Sequence, residues 1–218
     1  LGDVYKRQQL NRVDGTNAAS TVVRGGHGTW NLKSGLLQAP GPVQAIRSDG
    51  RTLSASGLDG NTRQGYLDLQ QPVTLVLESD RGRITAGRTR WLFSAEQLES
   101  DQPIQAELKN SKVQGRGFKL DQRTGTVIIS NSCRVEQTLE TLTAQRCAWN
   151  WRSERVVADG DVVLQRTEPE QITRASRMEA KISDDGAIRF GQAGARVEST
   201  IKLSPAAQEK PRRPQVSF

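Results

Sequence analysis

The stretch Leu67-Asp68-Leu69-Gln70-Gln71-Pro72-Val73-Thr74-Leu75-Val76-Leu77 decides the fold, because apolar and polar residues alternate along it. A period of two places the apolar residues on one face of a β-strand. That face consists of Leu67, Leu69, Val73, Leu75 and Leu77. Pro72 interrupts the pattern, and a residue without an N–H marks a sheet edge, a bulge or a bend.

The same pattern recurs about every thirty residues. The other copies are Leu37, Ala39, Pro42, Val43, Ala45; Leu98, Ser100, Pro103, Ile104, Ala106; Val127, Ile129, Cys133, Val135; Val156, Ala158, Val162, Leu164; and Ile188, Phe190, Ala195, Val197. Their anchors Val43, Val73, Ile104, Cys133, Val162 and Ala195 are 30, 31, 29, 29 and 33 residues apart. Turn signals separate the strands, and no segment has a convincing helical period. The sequence therefore predicts an all-β fold, an elongated antiparallel stack of hairpins in which two sheets fold over one another.

A tryptophan recurs at one position of the repeat. Trp30, Trp91 and Trp149 each lie seven residues after one apolar residue and seven before the next copy. The triplets are Val23, Trp30, Leu37; Ile84, Trp91, Leu98; and Leu142, Trp149, Val156, with Leu120 in place of Trp in another copy. The repeat is therefore already present at Val23.

Composition excludes some classes of protein. The chain has 218 residues, a net charge of +7 and 34% hydrophobic residues. Such a thin apolar supply favours an extended repeat over a thick core. No apolar run approaches the roughly 18 residues that a membrane span needs. A basic chain can bind nucleic acid, but no nucleic-acid motif is present, so no nucleic-acid partner is predicted.

Candidate catalytic residues are few. His27 is the single histidine, and the chain has neither a nucleophile elbow nor clustered metal ligands. The sequence therefore predicts no enzyme, no cofactor and no metal site. Paired carboxylates of a glycosidase stay open, although solenoid lyases usually coil with parallel strands and shorter turns.

The tandem phrase LxLxxPVxL, a DxG or RxG turn and IxAxxxxWxxxxxxLxxxxPI resemble the periplasmic lipopolysaccharide-export proteins of the LptC and LptA group, which share an OstA-like repeat. The chain looks most like the long LptC-type proteins of cyanobacteria, and the resemblance covers roughly residues 23–203. It implies a β-jellyroll, a V-shaped trough that holds the acyl chains of lipopolysaccharide. It also implies that the lipid comes from an inner-membrane ABC transporter and passes along jellyrolls stacked end to end by strand addition toward the outer membrane.

The resemblance assigns the trough to the inward apolar set. Its residues are Leu67, Leu69, Val73, Leu75, Leu77, Ile104, Ala106, Leu108, Val127, Ile129, Val135, Val162 and Leu164. Burial of each CH₂ group of a lipid gains about 0.8 kcal/mol. The alternative is a closed sandwich core. The wider alternative for function is a structural or carbohydrate-binding β-repeat module at the cell surface.

The repeated tryptophans and the arginines each have two possible roles. The repeated tryptophans are either packing plugs or rim residues where acyl chain meets sugar. Arginines suit the phosphates of a glycolipid, or they keep a strand face soluble. The arginines in question are Arg81, Arg83, Arg88, Arg90, Arg212 and Arg213.

Cys133 and Cys147 lie on either side of a predicted hairpin turn. If that turn is centred on Glu140, the two cysteines lie directly opposite each other. This predicts a cross-strand disulfide worth ~3 kcal/mol, consistent with an oxidising periplasm. Two free buried thiols are the alternative.

The chain divides into four segments. Residues 1–8 resemble adapter read-through and are set aside as non-native, and 9–22 form an incomplete N-terminal part. The repeat jellyroll covers 23–203, and 204–218 form a disordered, basic, Pro-rich tail. We expect a periplasmic protein, anchored in the inner membrane by a helix that precedes this sequence.

Overall fold

The computed structural model describes residues 10–11, 21–77, 82–108, 111–168, 170–181, 188–190 and 198–201. The regular secondary structure of these residues consists entirely of β-strands. The strands are β1 (Leu10–Asn11), β2 (Thr21–Gly25), β3 (Thr29–Trp30), β4 (Leu36–Ala39), β5 (Val43–Arg47), β6 (Thr52–Ala55), β7 (Gly57–Asn61), β8 (Tyr66–Gln70), β9 (Val73–Val76), β10 (Gly82–Ala86), β11 (Thr89–Leu92), β12 (Gln97–Leu108), β13 (Ser111–Asp121), β14 (Thr126–Glu136), β15 (Glu140–Ala144), β16 (Arg146–Asn150), β17 (Arg155–Thr167), β18 (Glu170–Lys181), β19 (Ile188–Phe190) and β20 (Glu198–Ile201).

The strands form two walls. Every pair of hydrogen-bonded neighbouring strands is antiparallel. Wall A has the order β3-β4-β7-β8-β11-β12-β13-β14-β16-β17-β18-β19. Wall B has the order β1-β2-β5-β6-β9-β10-β12-β13-β14-β15-β17-β18-β20. The chain makes one hairpin in one wall, crosses, and makes the next in the other. Long strands such as β12 belong to both walls. The predicted all-β, antiparallel stack of hairpins is therefore confirmed.

The repeated prolines mark the crossings between the walls. Pro42 directly precedes β5 and Pro72 directly precedes β9, and both of these strands belong to wall B. Pro103 lies within β12, where the pairing register shifts between Ser100 and Pro103. The bend predicted at these prolines is present, and it occurs where a missing N–H costs the ladder least.

The seven-residue spacing after each tryptophan corresponds to the pairing register of the hairpins in wall A. Trp30 pairs with Leu37, Trp91 with Leu98 and Trp149 with Val156. One inward row runs across the wall as Trp30, Leu37, Gly60, Leu67, Trp91, Leu98, Leu120, Val127, Trp149, Val156 and Ala180. The predicted single position for the tryptophans is thus confirmed, and the second copy has Gly60 at that position.

Wall B has a matching inward row. It runs Val23, Ala45, Leu53, Leu75, Ile84, Ala106, Val113, Val135, Leu142 and Leu164, one residue from each of ten neighbouring strands. Except for Trp30, Gly60 and Val156, the residues of the two rows belong to one hydrophobic cluster or pack against it. The core is therefore a thin apolar layer between the walls.

Five turns of wall A share a local structure. They are residues 31–35 (NLKSG), 61–65 (NTRQG), 92–96 (LFSAE), 121–125 (DQRTG) and 150–154 (NWRSE), and the last residue of each has φ between 54° and 79°. Neighbouring turns are bonded to each other: the N–H of Thr62 donates to the Gly35 carbonyl at 2.8 Å, and that of Trp151 donates to the Gly125 carbonyl at 3.0 Å. We call this stack the turn rim; it forms the edge of wall A opposite the crossings.

Some predicted features lie outside the described residues. These are segments 1–8 and 204–218, the anchor Ala195, and the arginines Arg81, Arg212 and Arg213. In the described part of the chain, no helix is long and apolar enough to cross a membrane.

Candidate functional site

The residues assigned to the trough lie between the two walls. Twelve of the thirteen are at most 8% exposed, and Val135 is partly buried. Six of them line one cavity between the walls: Ile104, Ala106, Leu108, Val127, Ile129 and Val135. Leu69 lines another, smaller cavity. The other six, Leu67, Val73, Leu75, Leu77, Val162 and Leu164, are buried but line neither of these cavities.

Both cavities are small. The larger has a volume of about 20 Å³ and the smaller about 10 Å³. A single water needs roughly 10–15 Å³ of such volume. Around these two cavities the walls pack against each other as in a sandwich, and an acyl chain fits there only if the walls move apart.

The repeated tryptophans take part in this packing. Trp91 lines the smaller cavity and Trp149 the larger. Trp30 donates its Nε1–H to Thr62 Oγ1 at 3.2 Å. The buried Nε1 of Trp91 has no hydrogen-bond partner among the described residues. These positions agree with a packing role, and Trp91 alone of the three holds an unsatisfied donor in the interior.

Cys133 and Cys147 are joined by a disulfide, with their Cα atoms 5.8 Å apart. Cys133 lies in wall B and pairs with Ala144, whereas Cys147 lies in wall A and pairs with Ile129. The prediction that they lie directly opposite each other in one hairpin was wrong. The chain crosses to wall A after Ala144, so the bond links the two walls instead.

Two arginines of the predicted phosphate cluster contact a carboxylate on the outer face of wall A. Arg90 donates to both carboxylate oxygens of Asp68, at 2.7 and 2.9 Å, and Arg88 lies 3.5 Å from it. The hydrogen bond from Arg90 holds the pKa of Asp68 below its usual value. Arg83 is exposed on wall B. Arg88 and Arg90 are therefore engaged within the protein.

A polar cluster that sequence reasoning missed ties the free edges of the walls together. Arg47 and Arg51 flank the turn between β5 and β6 of wall B. Arg47 Nη1 donates to Glu96 Oε2 at 3.0 Å and to Gln122 Oε1 at 3.2 Å, both on the turn rim. Arg51 Nη1 lies 3.5 Å from the Gln122 carbonyl. We call these residues, with Asp49, the clasp.

Asp49 holds the two arginines of the clasp in place. It accepts hydrogen bonds from Arg51 and lies 3.0 Å from Arg47 Nε. Burial would raise the pKa of Asp49, but the hydrogen bonds and charge of Arg51, with the charge of Arg47, outweigh it and the pKa is lowered. Arg51 is only 6% exposed and Gln122 8%. The clasp is a partly buried network of charges, in which Arg47 Nε lies beside Asp49 without a hydrogen bond among the described residues.

Among the described residues, no group of three or more His, Cys, Asp or Glu residues could hold a metal ion. His27 is exposed in a loop between β2 and β3. The side chains that line the larger cavity are apolar.

The fold is similar to that in the crystal structure of LptH, the LptA homologous periplasmic component of the conserved lipopolysaccharide transport device from Pseudomonas aeruginosa. The two chains are 15% identical, the TM-score is 0.45, and the similarity covers 51% of this chain and 83% of that chain. At this identity the likeness is one of fold alone. No protein-family model and no curated protein matches the sequence.

Proposed function

We propose that the chain is a non-enzymatic component of periplasmic lipopolysaccharide transport, which binds acyl chains between walls A and B. The observation that carries the proposal is the pair of facing inward rows. Ten neighbouring strands of wall B each contribute one apolar residue to its row. At roughly 4.8 Å per strand, the row extends for about 43 Å. A continuous apolar surface of this kind suits a long hydrocarbon chain and needs no reactive group.

Small inward residues support the same proposal. Ala45, Ala55, Ala86, Ala106 and Ala144 are all buried on wall B. Alanine leaves space that a larger side chain would fill, so the facing surfaces of the walls are not tightly interdigitated at these positions. Separation of the walls would therefore open a groove. Contact with the lipid would then replace contact between the walls.

The ends of the walls suit strand addition. Among the described residues, wall A ends in β3 and in β19. The unpaired backbone groups of an edge strand can be extended by a strand of a neighbouring jellyroll. We propose that like jellyrolls dock there and pass the lipid along. An LptC-type role beside an inner-membrane ABC transporter, with a membrane anchor, rests on the sequence resemblance.

Displacement of a fluorescent acyl probe by lipopolysaccharide tests the proposal. Ala106→Leu fills the larger cavity and should weaken probe binding. Thr85→Leu adds a similar side chain on the outer face of wall B and should not. If wild-type protein binds neither probe nor lipopolysaccharide, the proposal fails and a structural or carbohydrate-binding module becomes the better account.

A further inference from the structure

The clasp joins parts of the chain that are distant in sequence. Arg47 is 49 residues from Glu96 and 75 from Gln122, and these contacts bring a wall B turn onto two turns of the rim. The crossings already hold the walls together along their other edge. The clasp therefore closes the interior on the side where the walls could separate.

Because the clasp is largely buried, we expect its contacts to form or break as a unit. Arg51 and Gln122 are nearly buried, and the side chain of Arg47 is 16% exposed. A charge so placed is stable only while its partners stay in position. Separation of the walls would take Glu96 and Gln122 away from Arg47 and leave Asp49 as its remaining partner. Because Arg47 Nη1 donates to both rim residues, those two contacts should break together. Such a network favours two states, closed and open, over gradual widening.

The position of the clasp sets what it controls. Glu96 and Gln122 each lie two residues from an inward leucine, Leu98 and Leu120, which are 2% and 0% exposed. These leucines belong to the wall A row between Trp91 and Trp149, the tryptophans that line the two cavities. The clasp thus holds the walls closed over the middle of the interior.

We propose that the clasp is a gate: the interior admits an acyl chain from the side only after the contacts of Arg47 and Arg51 with Glu96 and Gln122 break. This inference rests on the proposed function for its ligand, but the opening itself is a property of the protein alone. The outer-face ion pair of Arg90 with Asp68 has comparable geometry and does not bridge the walls. It provides a matched control.

Two measurements test the gate. Hydrogen exchange of the ligand-free protein should be faster in segments 43–55 and 91–98 of Glu96→Gln than of wild type, by about fivefold or more. Asp68→Asn should leave those segments unchanged. Equal exchange in wild type and Glu96→Gln would overturn the gate, whether or not any lipid binds.

The second measurement is the rate at which a fluorescent acyl probe loads. Glu96→Gln and Gln122→Ala should both load faster than wild type, and Asp68→Asn should not. Arg47→Gln combined with Glu96→Gln should load no faster than Arg47→Gln alone, because Arg47→Gln already removes the contact with Glu96. Equal loading rates would contradict the gate while leaving lipid binding intact, whereas loss of all binding would contradict the proposed function alone.

Discussion

Cys133 of wall B is bonded to Cys147 of wall A, and the bond joins the two walls beside the crossing that follows β15. It closes a loop with a sequence separation of 14 residues. A cross-link of this length stabilises a fold by about 3 kcal/mol in the chain-entropy model. The walls are thus tied by a covalent bond on one side and by the clasp on the other.

The first prediction concerns this bond. Replacing both Cys133 and Cys147 by Ala should lower Tm by about 6–12 °C, since each 1 kcal/mol corresponds to about 2–4 °C in a protein of this size. Thermal unfolding followed by circular dichroism measures the change. A reductant should destabilise wild type and leave the double variant unaffected. An unchanged Tm of reduced wild type would refute a stabilising disulfide.

The second prediction concerns the turn rim. Gly125 has φ of 73°, and a Cβ there would lie 2.9 Å from Arg152 Cγ. Gly125→Ala should therefore cost about 1–2 kcal/mol. Gly26 has no atom within 4 Å of such a Cβ, so Gly26→Ala is the control and should change stability little. Chemical denaturation gives both values, and equal effects would show that the rim has no special requirement for glycine.

The third prediction follows from the lowered pKa values of Asp49 and Asp68. A carboxylate whose pKa is lower in the folded than in the unfolded state stabilises the fold above its unfolded pKa, about 3.9. That contribution is lost as the pH falls through the folded pKa. Unfolding free energy should be level from pH 7 to 5 and fall below about pH 4.

Asp49→Asn should make this acid loss smaller, because it removes one of the groups that must be protonated. Asp101→Asn, at an exposed carboxylate, is the control. Stability curves of Asp49→Asn and wild type that remain parallel from pH 5 to 3 would show that Asp49 contributes nothing to the acid transition.

The fourth prediction concerns Trp91. Its Nε1–H has no partner among the described residues, so Trp91→Phe removes an unsatisfied donor and should cost less than about 1 kcal/mol. Trp91→Ala empties the interior and should cost about 3–5 kcal/mol. Urea denaturation of the two variants distinguishes ring packing from hydrogen bonding. A Trp91→Phe loss as large as that of Trp91→Ala would mean that the N–H has a partner in solution.

The features of the fold that follow from the local alternation of apolar and polar residues could be predicted from the sequence. The seven-residue steps through Trp91 became strand pairings because a period of two fixes which residues face inward on both strands of a hairpin. The crossings at Pro42 and Pro72 were predictable for the same local reason.

What the sequence did not predict depends on how the walls lie against each other. The clasp needs the turn at Asp49 to reach turns from later copies, and no motif encodes that approach. Its one local signal is the pair of arginines that flank Asp49. The predicted position of the disulfide was wrong because the true position depends on where the chain leaves wall B. Whether the interior is open or closed depends on the distance between the walls, which the period does not determine.

The central claim is that an acyl chain binds between the walls. A fatty acid carrying a photoreactive diazirine on its chain, cross-linked to the protein and mapped by mass spectrometry, tests it most directly. We expect labels on inward residues of both walls, such as Ile104 and Val127. Labels confined to exposed apolar residues such as Leu32 and Leu36, or no labels at all, would contradict the account.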